Sequence, residues 1–141
     1  MASAALAQDF SAPQYAKWGA TPEEREQNIL NSNFLKESCD NRDYDAAAHY
    51  LKGLIDKIPD AAESIYQRGA VVYKNKINRA KSVAEKNMFI DSLMLMYDMR
   101  AQYFGDNVKP GKTAFILDQK AREFLRYKPN DRKGIREAYE T

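Results

Sequence analysis

The chain has 141 residues, which is enough for one domain with its own hydrophobic core. Its formal net charge is +2 at pH 7, so no strong overall field indicates a nucleic-acid or membrane-surface partner. A single cysteine, Cys39, excludes an intramolecular disulfide, and one Cys with one His cannot supply the usual ligands of a zinc site. Acids exceed bases up to Asp60 and bases exceed acids after it, which predicts one acidic and one basic end.

The first eight residues, MASAALAQ, are small and uncharged. Ala5, Leu6 and Ala7 match the A-x-A pattern of a signal-peptidase site, although no basic and long apolar regions precede it. Residues 1–8 are therefore predicted to be the remnant of a signal peptide, with a disordered terminus as the alternative. The first interpretation predicts an exported protein of the bacterial periplasm or cell envelope.

Residues 9–20 combine helix-breaking residues with three large aromatic rings, Phe10, Tyr15 and Trp18. Such a composition predicts an irregular arm. Large rings on a short arm usually pack down, so we expect this arm to cover the first helix. An exposed arm that binds a partner is the alternative.

The first helix is predicted to begin at Thr21, which can cap the helix while Pro22 takes the first position and Glu24 reaches back. It should run to about Asn41. The residues expected to face inward are Ile29, Leu30, Phe34 and Leu35.

Residues 41–73 predict a helical hairpin around which the rest of the chain is organised. The apolar residues of the second helix recur at intervals of three and four, at Tyr44, Ala47, Ala48, Leu51, Leu54, Ile55 and Ile58. Pro59 ends this helix, because its ring clashes with the preceding turn. Asp60 and Glu63 then match a capping box, which predicts a third helix that runs to about Ala80. Gly69 in that helix should allow a neighbouring helix to approach closely, at a cost of roughly 1 kcal/mol in helix propensity.

This hairpin resembles a tetratricopeptide repeat. The residues that carry the resemblance are Tyr44, Ala47, Leu51, Leu54 and Pro59, followed by Gly69 where the next repeat has its glycine. The resemblance implies an all-α fold, a right-handed array of about six helices in antiparallel hairpins over residues 21–141. The last helix has an apolar stripe and no later helix to cover it, so we expect this domain to continue into further helical hairpins.

Three further helices follow in the sequence. Ser82 and Glu85 form a second capping box, which opens a long helix to Phe104, with Gly105 as its stop. Its two apolar rows are Phe89, Leu93, Met96 and Phe104, and Met88, Leu95, Met99 and Tyr103. A fifth helix is predicted over residues 112–127, with Ala114, Leu117, Ala121, Phe124 and Leu125 inward. A last helix is capped by Asn130 or Asp131.

The resemblance implies a non-enzymatic scaffold module that binds a protein or peptide segment in a concave groove. The groove positions that it implies are Ser32, Lys36 and Asp40 on the first helix and Tyr66, Ala70, Tyr73 and Lys74 on the third. Ser32 and Lys36 replace the first two residues of the set that clamps C-terminal carboxylates in one subfamily, so such a clamp is not expected. The alternatives are an assembly segment that self-associates through its last helix, and an adaptor to an enzyme domain elsewhere.

Three patterns of reactive or charged residues match other kinds of site only weakly. Gly111, Lys112 and Thr113 imitate a phosphate-binding loop, but Gly105 has the wrong spacing and no strand precedes it. Asp45 and His49 lie one turn apart, which is more typical of an exposed row of charges than of a metal site. The basic run from Lys74 to Lys81 is more typical of a basic helix end than of a nucleic-acid site. The sequence therefore predicts no catalytic site, cofactor, metal, nucleic-acid partner or membrane span.

Overall fold

The computed structural model describes residues 8–140, and this part of the chain is helical and contains no strand. A 3₁₀ helix over Pro13–Trp18 comes first. Six α-helices follow it: α1 (Pro22–Asp40), α2 (Tyr44–Lys57), α3 (Glu63–Asn78), α4 (Val83–Phe104), α5 (Lys112–Tyr127) and α6 (Arg132–Ala138). The predicted all-α class and helix number are confirmed. The signal-peptidase pattern at Ala5 to Ala7 lies outside the described residues.

Consecutive helices pack against one another as antiparallel pairs along the chain. α1 packs on α2, α2 on α3, α3 on α4, α4 on α5 and α5 on α6, while α1 also contacts α3. The connections are short, because Pro59, Gly105 and Pro129 each stop a helix close to where the next one begins. The hairpin arrangement expected from the sequence is therefore present.

Side chains cap the helices at most of the predicted starts. The backbone N–H of Glu24 donates to Thr21 Oγ1 at 3.2 Å, and the N–H of Glu85 donates to Ser82 Oγ at 3.1 Å. The capping box predicted at Asp60 and Glu63 is wrong. The N-cap of α3 is Ala62, which has no side-chain cap, and the Glu63 carboxylate turns towards α4 and α5 instead.

The buried side chains form two clusters that meet on α3. The first core cluster comprises Leu35, Tyr44, Ala47, Leu51, Leu54, Ile58, Ile65, Tyr66, Val72 and Met96. The second core cluster comprises Ala70, Ile77, Ile90, Leu93, Met94, Tyr97, Ala101 and Ile116. Tyr73 packs against both clusters. All the inward positions predicted for α2 are buried or half-buried.

Several apolar residues predicted to face inward are exposed instead. They are Leu30 on α1, Met88 and Leu95 on α4, and Ala114 and Leu125 on α5. The second apolar row of α4 is covered only in part: Met88 and Leu95 are exposed, while Met99 and Tyr103 pack against the first core cluster. The reason is that α4 packs mainly against α3 and α5, which cover only part of its circumference. Periodicity alone had suggested that this helix would be covered on both rows.

The aromatic arm lies against α1, as predicted. Arg25 donates from its guanidinium to the carbonyls of Gly19 at 2.8 Å and Phe10 at 2.9 Å. The Asn28 amide donates to the Trp18 carbonyl at 2.7 Å, and the Trp18 ring packs on the first core cluster. The arm is more regular than expected, because much of it forms the 3₁₀ helix.

No helix in the described part of the chain is both long and apolar enough to cross a membrane. The longest, α4, has 22 residues and carries charged residues along its length. A spanning helix needs about 20 predominantly apolar residues.

Candidate functional site

A cleft of about 290 Å³ lies between α3 and α5, and we call it the α3–α5 cleft. Both helices pack on α4, which supplies residues to the cleft between them. Its lining residues are Tyr66, Gln67, Ala70 and Lys74 from α3, Met96, Tyr97 and Arg100 from α4, and Gln119, Arg122, Glu123 and Arg126 from α5. On α3 and α5 these residues recur at intervals of three and four, so each helix presents one face to the cleft.

Buried side chains provide the apolar part of the cleft. Tyr66 and Tyr97 are only 1% and 5% exposed, and Ala70 and Met96 are buried beside them. The Tyr66 hydroxyl donates to the Pro59 carbonyl. Burial, with smaller contributions from Tyr103 and Asp60, raises the pKa of Tyr66. These side chains belong to the two core clusters, so this part of the cleft is fixed by the packing of the protein itself.

A network of partly buried charges fixes one end of the cleft. Glu63 at the start of α3 accepts from Lys112 Nζ at 2.6 Å and lies 3.4 Å from Arg100 Nε. Arg100 also donates to Gln119 Oε1 at 3.0 Å. Burial raises the pKa of Glu63, but the hydrogen bond from Lys112 and the charge of Arg100 outweigh it, so the pKa lies below its usual value. The network therefore connects the first turns of α3 and α5 with the C-terminal part of α4.

Glu123 is the carboxylate within the cleft lining, and it is shared by two cations. Its Oε1 lies 3.5 Å from Lys74 Nζ on the opposite helix, and its Oε2 lies 3.8 Å from Arg126 Nε. Oε2 is buried and accepts no hydrogen bond from any described residue. The carboxylate is thus held by long ion pairs, since a good charge-assisted hydrogen bond is about 2.8 Å long.

The charge of Glu123 contributes to the raised pKa of two nearby tyrosines. Burial, followed by the charge of Glu123, raises the pKa of Tyr97 to about 12. The same two causes raise the pKa of Tyr127. Four cations line the cleft around this carboxylate: Lys74, Arg100, Arg122 and Arg126.

The structure brings three of the seven predicted groove residues to the cleft: Tyr66, Ala70 and Lys74. Tyr73 is half-buried beside them, against both core clusters. Ser32 is buried, and Lys36 and Asp40 form an ion pair of 3.0 Å on the surface of α1. The three α1 positions do not line the cleft, because its second side is formed by α5 and α1 packs directly against α2 and α3.

The sequence prediction missed the residues that α4 and α5 contribute. The α5 residues could have been found, because Gln119, Arg122, Glu123 and Arg126 share the spacing of a single helix face. Arg100 carries no such signal. It lies within a helix whose pattern is dominated by apolar residues, and its role depends on partners from two other helices.

Several residues of the other sequence patterns contact neighbouring groups. Thr113 N–H donates to Asp106 Oδ1 at 3.0 Å, and Asp106 N–H donates to Thr113 Oγ1 at 2.9 Å, so these groups close the loop before α5. Asp45 pairs with Lys76 at 2.7 Å, and the hydrogen bond and charge of Lys76 lower its pKa. Arg79 lies over the Tyr44 ring. Between residues 8 and 140, no cluster of three His, Cys, Asp or Glu side chains could hold a metal ion.

No family model matches this chain, and neither a curated protein nor a solved structure matches it. The resemblance to tetratricopeptide repeats stays a prediction made from the residues. The geometry and charge of the α3–α5 cleft therefore provide the main basis for a functional assignment.

Proposed function

We propose that this chain is a non-enzymatic scaffold module, similar to a tetratricopeptide repeat protein, that binds a peptide or protein segment in the α3–α5 cleft. The observation that carries the proposal is the cleft itself, which combines buried apolar side chains with charged and amide groups from facing helices. Binding sites generally have this composition, in which apolar surface supplies affinity and a few polar groups fix orientation.

The rigidity of the cleft supports binding. Ala70, Met96 and Tyr97 belong to the core clusters, and the ion pairs of Glu63 hold the ends of α3 and α5 against α4. A site built on packed helices loses little conformational entropy when a ligand binds.

The chemistry of the lining also suits the binding of a ligand. Its residues are tyrosines, glutamines, basic side chains, Glu123 and two apolar residues. Covalent catalysis generally uses an activated nucleophile, such as a serine or cysteine oriented by a histidine. The lining offers none of these three, whereas its guanidinium and amide groups are donors suited to holding a ligand.

An exported location in the bacterial periplasm or cell envelope belongs to the same proposal. It is supported by the A-x-A pattern at Ala5 to Ala7 in the sequence. Signal-peptidase cleavage of the native precursor, measured by mass spectrometry of a mature N-terminus at Gln8 or Asp9, is the direct test.

A peptide array is the experiment that tests the proposed site. The wild-type protein, a Lys74→Ala/Arg126→Ala variant and a Lys52→Ala/Lys133→Ala control are compared on short peptides of systematically varied composition. The control removes the same charge from exposed sites outside the cleft lining. We expect the cleft variant to lose binding by at least tenfold and the control to bind as the wild type does. Equal binding by all three proteins would rule out the cleft as the binding site.

Assembly through the last helix is a second candidate, favoured by the exposure of Leu125 on α5 and Tyr139 at the end of α6. A Leu125→Ser/Tyr139→Ser variant tests it. If the wild type self-associates through this surface, sedimentation velocity should show a concentration-dependent dimer that the variant lacks. A wild-type protein that remains monomeric at high concentration contradicts this candidate.

A further inference from the structure

We infer that the α3–α5 cleft takes a peptide segment rich in aspartate and glutamate, and that Glu123 holds the place of a ligand carboxylate in the free protein. The inference rests on the proposed peptide-binding function and adds the chemistry of the ligand. Three observations support it: the charge balance of the cleft, the contacts of Glu123 and the burial of the aromatic rings.

The first observation is that cations outnumber carboxylates around the cleft. Lys74 and Arg126 share Glu123, while Arg100 and Lys112 share Glu63. Only Arg122 has a carboxylate of its own, Asp118, at 2.7 Å. Five cations thus share three carboxylates, and an anionic ligand would complete the balance. Opposite charges in a cleft also steer a ligand towards it.

The second observation concerns the position and weak contacts of Glu123. Its side chain is 14% exposed, whereas those of Lys74 and Arg126 are 37% and 70% exposed. The two cations can therefore meet a ligand while Glu123 lies beneath them. Because the ion pairs of Glu123 are long and its Oε2 accepts no hydrogen bond from the described residues, a ligand carboxylate can make the better contact. Arginine in particular can donate two parallel hydrogen bonds to one carboxylate.

The third observation separates a peptide from a nucleic acid. Single-stranded nucleic acids bind through stacking of their bases on accessible aromatic rings as well as through their phosphates. The two aromatic rings of the cleft, Tyr66 and Tyr97, are almost fully buried and offer no open face for stacking. Amide groups at Gln67 and Gln119 are instead suited to the carbonyl and N–H groups of a peptide backbone.

The test uses a matched pair of labelled peptides whose only difference is charge. One peptide alternates Glu and Asp with Ala and Leu, and the other carries Gln and Asn at the acidic positions. Fluorescence anisotropy measures the affinity of each for the whole chain. We expect the acidic peptide to bind the wild type at least tenfold more tightly than its amide counterpart, and to lose affinity as salt is added.

Neighbouring substitutions in the cleft should then act in opposite directions. Lys74→Ala/Arg126→Ala should weaken binding of the acidic peptide by at least tenfold. Glu123→Gln should strengthen it severalfold, because it removes the competing carboxylate and nearly preserves the shape of the side chain. Lys52→Ala/Lys133→Ala should bind as the wild type does, and a thermal melt of each variant establishes that it is folded.

The outcomes separate this inference from the function on which it rests. If both peptides bind equally and the Lys74/Arg126 variant weakens both, the peptide-binding function stands and the acidic specificity is overturned. If neither these peptides nor those of the array bind, both are overturned. Weaker binding to Glu123→Gln would overturn the role of Glu123. A single-stranded oligonucleotide of equal charge that binds as tightly as the acidic peptide would make the cleft a general polyanion site and overturn the inference.

Discussion

Lys112 Nζ lies 2.6 Å from Glu63 Oε1, which joins the first turn of α5 to the first turn of α3 although the residues are 49 positions apart. Arg100 Nε lies 3.4 Å from the other carboxylate oxygen. All three side chains are less than one quarter exposed. Removing the carboxylate would therefore leave two partly buried cations without their counter-ion.

Glu63→Gln should destabilise the protein by about 2 kcal/mol at pH 7, because a hydrogen bond to a charged group is worth about 1.5–3 kcal/mol. The folded pKa of Glu63 lies below its ordinary value of 4.5. The stabilisation is therefore present above pH 4.5 and is lost as the pH falls through the folded pKa. Urea unfolding from pH 7 to pH 3 should show a smaller loss of stability in Glu63→Gln than in the wild type.

Glu37→Gln is the control for this prediction, since Glu37 is exposed on α1 and forms no ion pair with a described residue. It should change the free energy of unfolding by less than about 0.5 kcal/mol. Equal effects of the two substitutions would mean that the Glu63 network contributes nothing beyond an ordinary surface charge.

The two glycines within the helices of the central hairpin should respond oppositely to alanine. A Cβ at Gly69 would lie 2.5 Å from Met96 Sδ and 3.3 Å from Leu51 Cδ1, both in the first core cluster. A Cβ at Gly53 meets nothing within 4 Å. Gly53→Ala should stabilise the protein by about 0.5–1 kcal/mol through helix propensity. Gly69→Ala should destabilise it by about 1–2 kcal/mol, because overpacking outweighs that gain.

Thermal and urea unfolding of these two variants measure the difference directly. Met96→Ala in the Gly69→Ala background provides a second check, because it removes the side chain that the new Cβ meets. Its cost should be smaller than that of Met96→Ala alone. Additive costs would contradict the close approach of α4 at Gly69.

The buried Tyr97 ring predicts a loss of stability in alkaline solution. Burial and the Glu123 charge raise its folded pKa to about 12, from an ordinary value of 10.0. Its contribution is therefore fully present below pH 10 and is lost as the pH rises through the folded value. Tyr97→Phe should reduce the loss of stability between pH 10 and pH 12, measured by urea unfolding. Tyr139→Phe, at an exposed ring, is the control and should leave that loss unchanged.

The backbone conformation of Arg42, in the turn between α1 and α2, predicts that glycine at this position increases the stability of the protein. Its φ of 58° lies in the left-handed region, which side chains with a Cβ adopt at a cost of roughly 1–2 kcal/mol. Arg42→Gly should stabilise the protein by about 0.5 kcal/mol, since relief of strain exceeds the added freedom of the unfolded chain. Arg42→Val should destabilise it by more than about 1 kcal/mol. A stabilising valine in thermal unfolding would contradict the turn geometry.

The helix boundaries could be predicted because the residues that set them act on their own neighbours. Thr21 and Ser82 cap the helices that begin beside them, and Gly105 ends α4 directly. Glu63 follows Asp60 by three residues, as Glu85 follows Ser82, and so matches the same capping-box pattern. Its carboxylate instead forms ion pairs. Its partners, Arg100 and Lys112, come from distant parts of the chain. A pattern of four consecutive residues therefore cannot predict that Glu63 will pair with them.

The cleft could be predicted only in part, for a related reason. The register implied by the resemblance to a tetratricopeptide repeat includes Tyr66, Ala70 and Lys74 on α3, and all three line the cleft. The same register implies that Ser32, Lys36 and Asp40 on α1 form the other side of the groove. α5 takes that place, so Arg122, Glu123 and Arg126 enter the site while Ser32 on α1 is buried. The exposure of Leu95 has the same origin, because burial depends on which neighbours cover a helix.

The two core clusters alternate along α3, where Tyr66 and Val72 belong to one and Ala70 and Ile77 to the other. Tyr73 touches both. A helix hairpin taken from either half would leave part of this stripe facing water. The helices are arranged in consecutive pairs, but the two core clusters share α3. A change that loosens the packing of α3 should therefore weaken both clusters together.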